Sequence, residues 1–120
     1  MVDDEPAIRT VIERFLTGLG YVVDEAAGGH EAVRRLEAAT YDAVLLDLRM
    51  PDLSGDAVYA AVHARDPEQA ARTIFITGDV RSEEAWRFIA ATGCAALSKP
   101  FVLHEVARTL DAQLAARSRP

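Results

Sequence analysis

The sequence is poor in cysteine and in positive charge, and it contains no long hydrophobic run. A single cysteine, Cys94, cannot build a disulfide framework, which suits a reducing cytosol. With 13 basic and 19 acidic residues the net charge is −6, so no basic surface is available for nucleic acid or an anionic membrane. No apolar run approaches the roughly 20 residues that span a bilayer. Asp3, Asp4 and Glu5 also stand where a secretory signal would be basic and then apolar. These absences predict a soluble cytoplasmic domain without a direct nucleic-acid or membrane partner.

The remaining composition is that of an ordinary globular chain. Its 120 residues are enough for one hydrophobic core and too few for two, and 50% of them are hydrophobic. The sequence has no internal repeat and no Ser/Gly-rich linker. We therefore predict one domain over residues 1–116 and a short polar tail over residues 117–120.

Apolar residues recur at helical spacing in some segments and form short strand-like runs in others. Helical spacing is found around residues 8–19, 32–39, 57–62, 85–89 and 103–114. Strand-like runs are found at residues 21–23, 43–46, 74–76 and 95–97. This alternation predicts βαβ units, and therefore an α/β fold with a doubly wound parallel sheet covered by helices on both faces.

The first strand of that sheet is unusually short. A doubly wound sheet needs a strand before its first helix, yet the helix that begins near Pro6 leaves only Met1 and Val2 for it. Two explanations stay open: the strand is truly shortened, or the true beginning of the chain has been lost.

Polar residues follow the predicted strands where each strand ends. Asp3 and Asp4 follow the first, Asp47 follows residues 43–46, Thr77 follows residues 74–76, and Lys99 follows residues 95–97. Ligands of open parallel sheets bind at the carboxyl ends of the strands. Three carboxylates at one edge repel one another, and Mg²⁺, which prefers oxygen ligands, would relieve that repulsion. The lysine and the threonine could then bind the remaining oxygens of a phosphate.

Each of these residues also has an ordinary explanation. An aspartate after a strand is most often a turn residue or helix cap, and a lone lysine is most often a solvated surface residue. Asp3 and Asp4 could simply favour the amino end of the first helix through its dipole. Only their joint placement at successive strand ends favours a functional site.

Four segments resemble, in the right order, the motifs of a response-regulator receiver domain of the chemotaxis-regulator type. They are Val2–Pro6, Leu45–Gly55, Ile76–Gly78 and Leu97–Phe101. The resemblance covers nearly the whole chain. It is most specific in the segment around Asp47 and in the Lys-Pro-Phe segment.

The resemblance implies a flavodoxin-like fold whose five-stranded sheet has the strand order 2-1-3-4-5. It implies a signalling module of a two-component or phosphorelay system rather than an enzyme with its own substrate. Such a module catalyses only its own phosphorylation and dephosphorylation. It takes the phosphoryl group from a phosphohistidine of a sensor histidine kinase or phosphotransfer protein and switches a surface for an output partner.

The roles of the site residues are carried over from the same motifs. Asp47 would be the phosphoryl acceptor and a Mg²⁺ ligand. Asp4 would bind Mg²⁺ directly, Asp3 mainly through water, and Arg49 through its backbone carbonyl.

The phosphoryl group itself would contact three further residues. The Thr77 hydroxyl and the Gly78 amide would bind phosphoryl oxygens, and Lys99 would neutralise the developing charge. A cis peptide bond between Lys99 and Pro100 would aim this lysine into the site.

Two features concern output and signal lifetime. Many relatives carry an aromatic residue three positions before the lysine, where this sequence has Ala96, so the coupled movement of threonine and aromatic residue is in doubt. Arg49 and Asp79 are predicted to pair across the mouth of the site and to slow loss of the phosphoryl group; two separately solvated charges are the alternative.

Trp86, on the fourth predicted helix, could lie in the core or contact a partner. A position in or partly in the core is the favoured interpretation.

Two other functions remain as alternatives. A pseudo-receiver would act as an interaction module that never carries phosphate, and the short first strand keeps this option open. A Mg²⁺-dependent phosphatase with an aspartyl-phosphate intermediate would need a second acid two residues after the nucleophile, where this chain has Arg49.

Overall fold

Three parallel strands form the sheet in the computed structural model, which describes residues 1–78 and 82–117. They are β1 (Val44–Asp47), β2 (Thr73–Thr77) and β3 (Ala95–Ser98), in the order β1-β2-β3. In the register, Leu46 lies beside Phe75, and Phe75 lies beside Ala96. Every residue of β1 and β2 is buried, as expected for apolar strands between two helical layers.

Helices connect and cover these strands. They are α1 (Pro6–Gly18), α2 (Gly29–Ala38), α3 (Gly55–Arg65), α4 (Pro67–Ala70), α5 (Glu83–Thr92) and α6 (Leu103–Arg117). Five of them match the predicted helical segments. The four-residue α4 was not predicted, because it is too short to show a helical period. It begins at Pro67, and the Asp66 side chain accepts a hydrogen bond from the backbone N–H of Gln69.

The core consists of two apolar layers, one on each face of the sheet. Alternate side chains of a strand point to opposite faces, and Leu45 and Leu46 accordingly belong to different layers. The layer around Leu45 contains buried residues of α1 and α6: Ile12, Leu16, Val106 and Leu110. The layer around Leu46 contains buried residues of α2, α3 and α5: Ala32, Val58, Val62 and Ile89. The predicted α/β fold, with a parallel sheet between two helical layers, is confirmed.

The beginning of the chain is tied to the sheet through a single residue. Val2 forms parallel bridges to Ala26 on one side and to Leu46 on the other. Its N–H donates to Leu45 O at 2.8 Å, and its carbonyl accepts from Asp47 N at 3.1 Å. The described sheet therefore has three strands where five were predicted. Beside β1, the bridged residues Val2 and Ala26 stand in place of the two missing strands.

The predicted strand at residues 21–23 is wrong. The backbone there is irregular, Val22 is 97% exposed, and the bridge to Val2 is formed further along, at Ala26. Tyr21 forms hydrogen bonds with helices instead of a strand: its N–H donates to Leu16 O at the end of α1, and its hydroxyl donates to Asp111. This segment closes the first helix instead of pairing with a strand.

Two sequence expectations concern the surface and the end of the chain. Trp86 on α5 is exposed, with 36% of its surface accessible, so the expected position in or partly in the core is wrong. α6 runs to Arg117, and the remainder of the predicted polar tail, residues 118–120, lies outside the described residues. No helix in the described part of the chain is long and apolar enough to cross a membrane.

Candidate functional site

Three carboxylates converge at the carboxyl end of the sheet. Asp47 is the last residue of β1, and Asp3 and Asp4 directly follow the bridged residue Val2. One carboxylate oxygen from each aspartate lies within 4.8 Å of the other two. Asp3 is fully buried and Asp47 is 3% exposed, so two of the three charges are shielded from water.

A lysine from the far edge of the sheet reaches this cluster. Lys99 directly follows β3, and its Nζ lies 3.0 Å from Asp3 Oδ2 and 3.2 Å from Asp47 Oδ2. Glu5 Oε1 lies at 3.5 Å on the more exposed side. The backbone N–H of Lys99 donates to Thr77 O at 2.7 Å, and the following peptide bond to Pro100 is cis, as the resemblance implied.

The loop after β1 is tied closely to the site. The backbone N–H of Arg49 donates to Asp47 Oδ1 at 3.2 Å, and the N–H of Gly55 donates to Leu48 O at 2.9 Å. A Cβ atom at Gly55 would lie 2.4 Å from the carbonyl oxygen of Asp47. Only glycine therefore lets α3 begin this close to the backbone of Asp47.

Burial and neighbouring charges shift the pKa of two site residues. Burial raises the pKa of Asp47, as does the nearby Asp3 carboxylate, and these effects outweigh the Arg49 amide and Lys99, which lower it. Burial alone would lower the pKa of Lys99, but its contacts with Asp3 and Asp47 outweigh burial and raise it. The site thus combines a firmly charged ammonium with a carboxylate that resists ionisation.

The donor set fits a hard divalent cation. Asp3 Oδ2 is buried and accepts no hydrogen bond from any residue in the described ranges, since its contact with Lys99 is an ion pair without hydrogen-bond geometry. Burial, and with it the nearby Asp3 carboxylate, also raises the pKa of Asp47. Carboxylate oxygens are ligands that suit Mg²⁺, and one ammonium cannot compensate three carboxylates.

The structure brings most of the predicted site residues to one edge of the sheet. Asp3, Asp4, Asp47 and Lys99 lie in direct proximity, as described above. Thr77 ends β2 and is buried, and a Cβ atom at Gly78 would lie 3.8 Å from Lys99 Cδ.

Arg49 contacts Asp47 through its amide. The predicted pair of Arg49 and Asp79 lies outside the described residues, because Asp79 is not among them.

Sequence reasoning missed two charged residues beside the cluster. Glu5 approaches Lys99, and Arg9 Nη1 donates to the backbone carbonyl of Asp3 at 2.6 Å while its Nε pairs with Glu25 at 3.6 Å. Helical spacing offered a signal for Arg9, because it lies one turn after Glu5 at the start of α1.

Fold and site first define a class: small α/β domains with an acidic, lysine-containing site at the carboxyl ends of parallel strands. The model of the response regulator receiver domain family matches residues 1–111. The chain therefore belongs to the response regulator receiver domains of two-component systems.

Individual relatives agree with this family. The chain is 36% identical to the transcriptional regulatory protein ResD of Bacillus subtilis over 117 residues, which cover 95% of this chain and 46% of ResD. It is 32% identical to the sensor kinase CckA of Brucella abortus over 116 residues, covering 95% of this chain and 12% of CckA. The chain thus spans less than half the length of these curated relatives.

One similar solved structure is the receiver domain of a sensor histidine kinase from Pseudomonas aeruginosa PAO1. It is 33% identical, has a TM-score of 0.84, and the match covers 95% of this chain and 93% of that one. That protein was determined with a magnesium ion coordinated in its active-site cleft.

Proposed function

We propose that Asp47 accepts a phosphoryl group from a phosphohistidine of a sensor histidine kinase or phosphotransfer protein. A carboxylate oxygen of Asp47 would attack phosphorus, and the P–N bond to the histidine would break with its electron pair returning to nitrogen. The partner's imidazole, protonated beforehand on its other nitrogen, would leave as the neutral ring. The observation that carries this proposal is the Lys99 ammonium at 3.2 Å from Asp47, within an otherwise acidic and buried cluster. In-line phosphoryl transfer requires mainly positioning and charge compensation, which this arrangement supplies.

Mg²⁺ is the proposed cofactor. Asp3, Asp4 and Asp47, together with the backbone carbonyl of Arg49, would hold it, with Asp3 acting mainly through water. The clustered carboxylates, and the buried Asp3 oxygen without a hydrogen bond from the described residues, support this assignment. When bound, the ion would neutralise the carboxylates and draw in the phosphoryl oxygens.

The remaining residues would bind the incoming group. Lys99 would neutralise charge on a phosphoryl oxygen by giving up part of its pairing with Asp3 and Asp47. The Thr77 hydroxyl and the Gly78 amide would donate hydrogen bonds to the other oxygens. Their positions at the end of β2, beside Lys99, support these roles.

We also propose the five-stranded order 2-1-3-4-5 for this domain. Val2 would represent the first strand and Ala26 the second. The support is that Val2 is bridged in parallel between Ala26 and β1, the position that this order gives to the first strand.

Phosphorylation would act in the cytoplasm by changing the surface formed by α5, β3 and α6. Ala96 in β3 packs beside Phe75 in the layer that contains Ile89 of α5. A shift of Thr77 would therefore reach α5 through backbone and helix movements rather than through an aromatic side chain at position 96.

Intact-mass measurement tests the proposed function. The chain is incubated with a small phosphoryl donor such as acetyl phosphate, with and without Mg²⁺, alongside Asp47→Asn and the exposed control Asp42→Asn. We expect one Mg²⁺-dependent phosphoryl adduct on the wild type and on Asp42→Asn, and none on Asp47→Asn. A folded wild type without an adduct would indicate a pseudo-receiver, and sustained turnover of a phosphate ester would indicate a phosphatase.

A further inference from the structure

The amino end of α2 is capped by a side chain from a distant part of the chain. Its N-cap residue, Gly28, has no side chain to satisfy the free N–H groups of the first turn. Asp52 supplies the acceptors instead: Gly29 N donates to its Oδ1 at 3.0 Å, and His30 N donates to its Oδ2 at 3.1 Å. Each carboxylate oxygen thus accepts one backbone N–H, in a position that the helix dipole also favours.

The two glycines allow this contact. A Cβ atom at Gly28 would lie 2.7 Å from Asp52 Oδ1, and one at Gly29 would lie 2.4 Å from Leu53 O. A larger residue at Gly28 would displace the Asp52 carboxylate, and one at Gly29 would push the loop that connects β1 with α3, residues 48–54, away from α2. The backbone hydrogen bonds from His30 and Gly29 also lower the pKa of Asp52, so the carboxylate that makes the contact is ionised at neutral pH.

The contact joins the two sides of the acidic site. On one side, the chain that leads into α2 passes through Ala26, whose carbonyl accepts the N–H of Asp3 at 3.2 Å. On the other side, the β1–α3 loop carries Arg49, whose N–H donates to Asp47 Oδ1. Asp52 therefore connects the segment that holds Asp3 to the segment that holds Arg49.

We propose that Asp52 is a positioning residue for the acidic site. Its carboxylate fixes the β1–α3 loop against the start of α2, and so sets the position of the Arg49 backbone relative to Asp3 and Asp47. The effect on metal and phosphoryl chemistry rests on the proposed function, whereas the effect on the loop does not. Loss of a group that orients metal ligands from outside the ligand shell commonly lowers metal affinity by about tenfold or more.

The alternative is that Asp52 only stabilises α2. A merely structural cap would change the stability of the fold but would leave the loop and the metal site unchanged in the folded molecules. The two roles are separated by comparing Asp52→Ala with a variant destabilised elsewhere, Val62→Ala, which opens a cavity in the core under α3. Asp56→Ala controls for loss of a nearby negative charge, because Asp56 is exposed in the first turn of α3.

The experiment measures three quantities on these variants and on Asp52→Asn. The first is hydrogen exchange of the Arg49 amide, the second is the Mg²⁺ concentration for half-maximal phosphorylation by acetyl phosphate, and the third is the melting temperature. For Asp52→Ala we expect faster exchange at Arg49 and about a tenfold higher Mg²⁺ requirement. Asp52→Asn keeps one carbonyl acceptor. Its exchange rate at Arg49 and its Mg²⁺ requirement are therefore expected to lie between those of Asp52→Ala and those of the wild type.

Val62→Ala and Asp56→Ala are expected to keep the wild-type Mg²⁺ requirement. Unchanged exchange at Arg49 in Asp52→Ala would overturn the inference, as would faster exchange combined with an unchanged Mg²⁺ requirement. A Mg²⁺ requirement that rises equally in Val62→Ala would show that stability alone is responsible, and would also overturn it. A wild type that is never phosphorylated would refute the proposed function, and the exchange at Arg49 would then decide alone whether Asp52 holds the loop.

Discussion

The ammonium of Lys99 lies 3.0 Å from Asp3 Oδ2, so a residue after the last strand is paired with a residue from the beginning of the chain. Asp3 is fully buried, and the Lys99 side chain is 18% exposed. The same ammonium also contacts Asp47. One positive charge therefore compensates two buried negative charges, and this shortage of positive charge governs the stability of the site.

Asp47→Asn is expected to stabilise the protein. Because burial raises the pKa of Asp47, the folded state binds more protons than the unfolded state between the two pKa values, and stability falls as the pH rises through that interval. At pH 7 the ionised carboxylate therefore destabilises the fold, and its removal is expected to raise the free energy of unfolding. Urea denaturation in the absence of Mg²⁺ measures this gain. It is expected to vanish as the pH approaches the ordinary aspartate pKa of about 4, and a gain that is independent of pH would contradict the explanation.

Lys99→Met is expected to destabilise the protein, because it leaves two buried carboxylates without their cation. We expect a loss of about 2 kcal/mol, below the usual cost of breaking a fully buried pair because the lysine is partly exposed. The raised pKa of Lys99 means that this stabilisation is present at neutral pH and is lost only as the pH rises through the folded-state pKa. A double-mutant cycle with Asp3→Asn measures the pair directly. Additive losses would show that the two groups do not interact.

Gly55→Ala is expected to disturb the site through the backbone. The new Cβ would meet the carbonyl oxygen of Asp47 at 2.4 Å, and relief requires a shift of α3 or of β1. We expect a loss of about 2 kcal/mol and slower phosphorylation. Gly18→Ala is the matched control, because its Cβ has nothing within 4 Å and the residue lies in α1. It is expected to be neutral or stabilising by up to about 1 kcal/mol, and similar losses in both variants would contradict the steric explanation.

Mg²⁺ is expected to raise the melting temperature, and a chelator is expected to reverse the effect. A ligand that binds only the folded state stabilises it by about 2.7 kcal/mol at one hundred times its dissociation constant. Asp4→Asn is expected to abolish most of this gain, whereas Asp42→Asn, exposed and outside the acidic cluster, is expected to preserve it. Differential scanning fluorimetry over a series of Mg²⁺ concentrations measures the melting temperatures of both variants. An equal response of the two variants would place the metal elsewhere.

The sequence predicts the acidic site well because strand ends are visible in it. The buried run before Asp47 and the shorter run before Lys99 mark the carboxyl ends of two strands, and parallel strands bring such ends to one edge. The helical layers can also be predicted from the sequence, because the apolar residues of α1 and α6 recur at helical spacing. These features depend on local pattern and general topology, and both can be read without coordinates.

The contacts that the sequence did not predict are set by tertiary structure. The run at residues 21–23 is apolar enough for a strand, but its first residue is hydrogen-bonded to the end of α1 and to α6. The contact of Asp52 with α2 joins two segments of the chain whose proximity in space no periodicity reveals. An aspartate in a loop reads as a local turn residue, and only the fold shows that it caps a distant helix.

The way Val2 is held has a consequence for any ligand of the acidic site. Its two single bridges, rather than a full strand, dock Asp3 and Asp4 next to Asp47. Any undocking of this segment would leave only the docked fraction competent to bind, and an apparent dissociation constant would then equal the intrinsic one divided by that fraction. Further backbone pairing beside Val2 would in that case tighten binding without changing a single ligand atom.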